Sequence, residues 1–246
     1  MIETAIFKTG KLPATDDART LLFRSVLRAA AKVPATYSLD LAHPGCRPRM
    51  FLNDTYGDCV IAARAEQQMR FGLLRNGAAP NITDAEVKRE YFRETGGADS
   101  GLNMLASLKA WRKGWTAGGA RRTISAYAAV DYRSPTEVKQ AIYIHGGIPI
   151  GVNLPDDAMD EFTRGKPWST TRRPPDPDEG HCVYLTGWTK AGPTAITWAQ
   201  YQQLSWAWLK KYGDEAWTVF DNLDQPRFRN AIDHAAVRRY LEEVTA

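Results

Sequence analysis

Apolar residues recur at intervals of three and four through the first half of the chain, and in alternating or unbroken short runs through the second half. The change of period predicts helices first and strands later. Cys59, Ala62, Ala63, Glu66, Arg70, Leu73 and Leu74 follow helical spacing behind Asp58, an N-cap residue type, and Asn76-Gly77 supplies a stop. Thr83-Asp84-Ala85-Glu86 reads as a capping box opening a second helix to about Arg93. Leu102, Leu105, Leu108 and Trp111 predict a third, closed by Gly114. Before these, a short helix over 18–31 and a proline-containing extended arm to Met50 are expected.

Beyond Gly114 the pattern predicts strands over 123–130, 148–154, 182–188, 195–198 and 216–220. Ser134-Pro135-Thr136-Glu137 starts a helix among them, with proline at the first helical position. Residues 164–179, rich in Pro, Arg and Asp, read as an exposed loop, and 227–244 as a helical tail. Helices followed by strands imply an α+β arrangement with a groove between its two sides. The expected division is a leader or arm over 1–50, a main domain over 51–223 and a tail over 224–246.

Composition adds mainly exclusions. Of the 246 residues, 43% are hydrophobic and 24% charged, which suits a globular core. The net charge of +4 is spread over basic pairs interspersed with acids, not the footprint of a nucleic-acid binder. No apolar run reaches the roughly 18 residues a membrane span needs. The N-terminus lacks the basic leader and apolar stretch of a secretory signal. Cys46, Cys59 and Cys182 make an odd count without metal-like spacing, as expected of reduced thiols in a cytoplasmic setting. A Cys46–Cys59 bridge stays open, and would disable chemistry at Cys59.

Candidate chemistry lies in Asn53-Asp54-Thr55-Tyr56-Gly57-Asp58-Cys59 and Gly180-His181-Cys182-Val183. A thiol at a helix N-terminus feels the positive end of the helix dipole, which favours thiolate. An imidazole can take and return its proton, and a side-chain amide can stabilise an oxyanion. His43, His145 and His234 read instead as surface or capping residues. The cluster Trp206, Trp208, Tyr212 and Trp217 reads as core, with a binding surface as the alternative. The acids Asp156, Asp157, Asp160 and Glu161 make only a weak metal candidate, and no cofactor is expected.

In the order of these parts the chain resembles the papain-like cysteine peptidase superfamily, over about residues 51–220. Asn53, Gly57 and Cys59 hold the places of the oxyanion donor, a glycine and the nucleophile. Gly180-His181-Cys182-Val183 resembles the family's histidine strand, Gly147–Val152 the strand before it, and 102–114 the helix and glycine between cysteine and histidine. The resemblance implies a papain-like fold and hydrolysis of an amide or peptide bond, with Cys59, His181 and Asn53 catalytic. Gly57, Asp58, Gly180 and Trp198 would border the substrate, a peptide or protein.

Four departures stand out. The usual histidine-orienting Asn, two residues before a tryptophan, is Ile196. Strand alternation shares a face between Ile196 and Trp198 and turns Thr197 away, so no substitute is visible. Asp58, next to the thiol, would oppose thiolate formation, and Val60 replaces the family's usual tryptophan. No inhibitory prosegment is obvious in the leader. The alternative is therefore a catalytically silent papain-like scaffold, structural or binding, in a larger assembly. A bacterial or phage protein is the expected setting, cytoplasmic or in a virion.

Overall fold

The computed structural model describes residues 7–28, 32–221 and 226–245, with helices packed on both faces of an antiparallel sheet. In chain order the elements are β1 (Tyr37–Ser38), α1 (Leu39–Ala42), α2 (Cys59–Asn76), α3 (Asp84–Glu94), α4 (Met104–Lys113), β2 (Trp115–Ala117), β3 (Ala120–Arg122) and β4 (Ala126–Ala129). Then come α5 (Pro135–His145), β5 (Ile148–Asn153), α6 (Ala158–Thr163), β6 (Gly180–Trp188), β7 (Pro193–Thr197), β8 (Gln200–Gln203), α7 (Trp206–Tyr212), β9 (Gly213–Phe220), α8 (Pro226–Ala231) and α9 (His234–Thr245).

The main sheet runs β4-β9-β5-β6-β7-β8, with β1 paired to the far end of β6. Two cores share it. One packs α2, α3 and α4 against Cys182, Tyr184, Ile196 and Trp217, and the other packs α5, α7 and α8 against Ile150, Val183 and Leu185. Helix α2 is the axis of the first, buried all round from Cys59 to Gly72. Its charges are matched inside: Arg64 pairs with Glu90 and Glu94, and Arg70 with Glu66 and Asp40.

Several starts and stops follow the local chemistry. Gly77 closes α2 in the left-handed conformation, Thr83 and Glu86 form a reciprocal capping box, and Ser134 caps α5. Three expectations fail. Within the described part of 18–31 there is only one 3-10 turn, Phe23–Ser25. Its backbone is committed elsewhere, Leu21 accepting from Ala129 and Arg28 donating to Ala231, while residues 29–31 lie outside the described residues. Asp58 makes no side-chain cap. His145 is fully buried among Phe23, Phe220 and Phe228, its Nδ1 3.1 Å from the Val219 carbonyl. Burial lowers its pKa to about 3, so it is a neutral core residue.

The flanking segments belong to the same body. Phe23 and Val26 enter the second core together with Phe228, Ile232 and Val237. Among the described residues no helix is long and apolar enough to cross a membrane.

Candidate active site

Cys59 opens α2, and the turn before it sets the neighbouring groups. Phe51 and Leu52 adopt positive φ (54° and 71°), folding the chain so that Asn53 lies buried beside the helix start. Left-handed backbone at non-glycine residues persists only where surrounding packing enforces it. The Asn53 side chain donates to the Tyr56 carbonyl at 3.1 Å, which engages one of its two amide hydrogens.

His181 comes from the start of β6, across the sheet–helix boundary. The N–H of the next residue, Cys182, donates to Cys59 Sγ at 3.4 Å, so thiol and histidine strand meet directly. On its far side, His181 Nε2 lies 2.7 Å from Thr197 Oγ1. Its Nδ1 is buried without a hydrogen-bond partner. The ring stacks on Trp198, centroids 4.2 Å apart and planes at 15°.

Thr197 therefore does what strand alternation seemed to forbid. Trp198 and Ala199 have φ of 43° and 62° and form the two-residue turn joining β7 to β8, with Thr197 paired to Gln200. Such a turn needs positive φ at both positions. Alternation thus ends at Thr197: Ile196 enters the helical core, while Thr197 and the turned Trp198 both reach His181.

Electrostatics at the site are governed by burial. Cys59 is 1% and His181 0% exposed. Loss of solvent pushes the thiol up to about 12 and the imidazole down to about 3, so the proton stays on sulfur in this closed state. Asp58 is also fully buried, neither carboxyl oxygen has a hydrogen-bond partner, and its pKa rises to about 8. It is mostly neutral at pH 7, which removes most of the repulsion expected from its charge. All three cysteines are free, so the Cys46–Cys59 bridge does not form.

By sequence the chain matches no protein-family model and no curated protein. By structure it is similar to xylellain, a cysteine protease from Xylella fastidiosa, at a TM-score of 0.68 and 13% identity over 89% of this chain and 98% of that one. A Carica candamarcensis cysteine protease in complex with E-64 follows at 0.59 and 13%, over 77% and 99%. A procathepsin B from Trypanosoma congolense gives 0.57 and 14%, over 87% and 86%. The fold is papain-like.

Residues 7–12 lie across the papain-like cleft as a strap. On the helical side, Lys8 N donates to the Asn53 carbonyl, Leu102 N to the Gly10 carbonyl and Leu12 N to the Leu102 carbonyl. On the sheet side, Gly10 N and Lys11 N both donate to the Gly180 carbonyl, and Trp198 Nε1 donates to the Lys8 carbonyl. Phe7 packs edge-on to Phe162 and 5.2 Å from the Trp198 ring. The approach is backbone on backbone: a Cβ on Gly57 would lie 2.8 Å from the Thr9 carbonyl, and one on Gly180 2.1 Å from that of Lys11.

The structure thus gathers Asn53, Gly57, Asp58, Cys59, Gly180, His181 and Trp198 around one closed cleft. Two participants escaped sequence reading. Thr197 was hidden because Trp-Ala lacks the Asn-Gly signature of its turn. The strap carries only the pairing of Thr9-Gly10 as a local signal of close backbone approach. Of the weak metal candidate, Asp160 pairs with Arg164 and Glu161 accepts from Thr170. Among the described residues no three metal-ligating side chains converge. Trp208 and Tyr212 belong to the second core, Trp217 to the first, and Trp206 packs partly buried.

Proposed function

We propose that the protein is a cysteine hydrolase acting on peptide or amide bonds, held shut by its own residues 7–12. The observation that carries this reading is the setting of His181. Thr197 fixes Nε2, Trp198 supports the ring face, and Nδ1 is left unpaired. The unpaired nitrogen alone does not set it apart, because the core residue His145 also has one, at Nε2; His181 differs in standing next to Cys182, whose N–H donates to Cys59 Sγ.

When the strap leaves, water and substrate reach the pair, and the desolvation that separates the two pKa values is relieved. The helix dipole then favours thiolate and the imidazole accepts the proton. Cys59 Sγ attacks the carbonyl carbon, forming a C–S bond and an oxyanion. The Cys59 backbone N–H and the Asn53 amide would stabilise that charge. His181 returns the proton to the leaving amine as the C–N bond breaks. Water, deprotonated by the same imidazole, cleaves the thioester. Thr197 orients the ring throughout, the part a triad's third member plays.

The test is hydrolysis of an unfolded protein substrate by the full chain carrying Gly10→Ala, which dislodges the strap, with and without Cys59→Ala. Activity lost with the sulfur supports the reading; activity that survives refutes it. A second reading, a silent scaffold built into a larger assembly, is favoured by the sealing of Cys59. It predicts that Cys59 of the released chain stays unreactive toward alkylating agents and that no substrate is cut.

A further inference from the structure

Lys11 is the strap residue whose charged side chain turns down into the body of the protein. It is fully buried, reaching between the carboxylates of Asp214 and Glu215. Its ammonium bonds Asp214, lies 3.5 Å from Glu215 and donates to the Leu12 carbonyl at 2.9 Å. Room for the stem comes from Gly151, where a Cβ would lie 2.6 Å from both Lys11 Cδ and Cε. In the sheet, Gly151 stands beside Cys182 on one side and Glu215 on the other. The slot is therefore one strand away from the residue whose N–H touches Cys59 Sγ.

The walls of this slot belong to β5 and the start of β9, and only its occupant belongs to the strap. Among the described residues no other cation forms an ion pair with Asp214 or Glu215. Glu215 also accepts from Trp217 Nε1 at 2.6 Å, which fixes its carboxylate toward the slot. An open groove of about 560 Å³ continues outward past Asp16, Asp131 and Asp214, with Arg133 the one cation in its lining and Asp17 already paired to Arg19 and Lys109. When the strap lifts, buried negative charge is left without its counter-charge beside an open cleft, a state that favours an incoming cation.

We infer that this slot is the specificity pocket of the cleft, that it selects a lysine or arginine side chain of a peptide substrate, and that Lys11 occupies it as a placeholder. The inference rests on the hydrolase reading for the word substrate, but the recognition itself is a binding property. A bound peptide would take the backbone partners the strap now uses, the Gly180 carbonyl and both main-chain groups of Leu102. A neutral side chain of the same length would fill the space and leave both carboxylates without a counter-charge.

The test is fluorescence anisotropy on the full chain carrying Gly10→Ala, Lys11→Ala and Cys59→Ala, which empties the slot and prevents turnover. The probes are labelled hexapeptides differing only in a central lysine, arginine, norleucine or glutamate. Lysine and arginine peptides should bind at least ten-fold tighter than norleucine, with glutamate weakest, and Asp214→Asn with Glu215→Gln should shrink the preference to within two-fold. Equal affinities for lysine and norleucine overturn the inference. So does a preference that survives loss of both acids, or no binding of any peptide by a chain that melts cooperatively. If the acid-free chain does not fold, Glu215→Gln alone should still reduce the preference several-fold. Binding with basic preference but no hydrolysis by the Cys59-bearing chain would sink the hydrolase reading and leave the pocket standing.

Discussion

Gly10→Ala tests the strap most directly. The added Cβ would sit 2.1 Å from the Gly57 carbonyl oxygen, against backbone that cannot rotate away. An ordinary contact needs about 1 Å more, and that displacement breaks the bonds from Leu102 N to the Gly10 carbonyl and from Gly10 N to the Gly180 carbonyl. Each is worth about 0.5–1.5 kcal/mol net, and buried groups left unsatisfied cost about 1–3 kcal/mol. A shift of about 3 kcal/mol toward the open state is therefore expected, about a hundred-fold in open population. Alkylation of Cys59 reports that population, because a thiol at 1% exposure reacts only when uncovered. Peptide mapping by mass spectrometry separates Cys59 from Cys46 and Cys182, which are also buried and serve as internal controls. Acceleration at Cys59 alone is the expected result. A Cys59 rate within three-fold of the unaltered chain, or equal acceleration at all three cysteines, would mean that something other than the strap seals the thiol.

Thr197→Val removes the oxygen 2.7 Å from His181 Nε2 at nearly constant volume, and should slow hydrolysis by the Gly10→Ala chain about 10–100-fold, the price of one unsatisfied buried partner; unchanged turnover would take Thr197 out of the site. Asp58→Asn concerns stability: with a folded pKa near 8 against 3.8 unfolded, Asp58 binds its proton more tightly in the native state, so its contribution is fully present below pH 3.8 and is lost as pH rises through 8. The variant should accordingly gain a few kcal/mol relative to the parent between pH 4 and 7 in denaturant titrations, and parallel pH profiles would show that Asp58 ionises freely. Arg64→Met leaves buried Glu94 with only Arg93, 3.6 Å away, while Glu90 keeps its Arg93 pair at 2.7 Å, and should cost about 3 kcal/mol of unfolding free energy; a loss under about 1 kcal/mol, read from the same titrations, would show that Arg93 compensates for both acids.

Where chemistry acts over a few neighbouring residues, the sequence was sufficient. The capping box at Thr83 and Glu86, the Gly77 stop and the Pro135 start needed only local hydrogen bonding and backbone sterics. The order of thiol, glycine and histidine segments pointed to the papain-like fold. Where a group's state depends on what is packed against it, the sequence pointed the wrong way. Asp58 read as a charged cap and is a buried, largely neutral acid; His145 read as a surface or capping residue and is a neutral ring among three phenylalanines.

Tertiary structure alone decided two further matters. Period-two alternation set Thr197 aside, but a hairpin turn two residues long ends that period and brings its hydroxyl to the imidazole. Nor does anything near Lys11 in sequence announce a partner more than two hundred positions away. Charge pairing across a cleft is set by how strands β5 and β9 lie beside the strap, a relation between distant segments that exists only once the chain has folded.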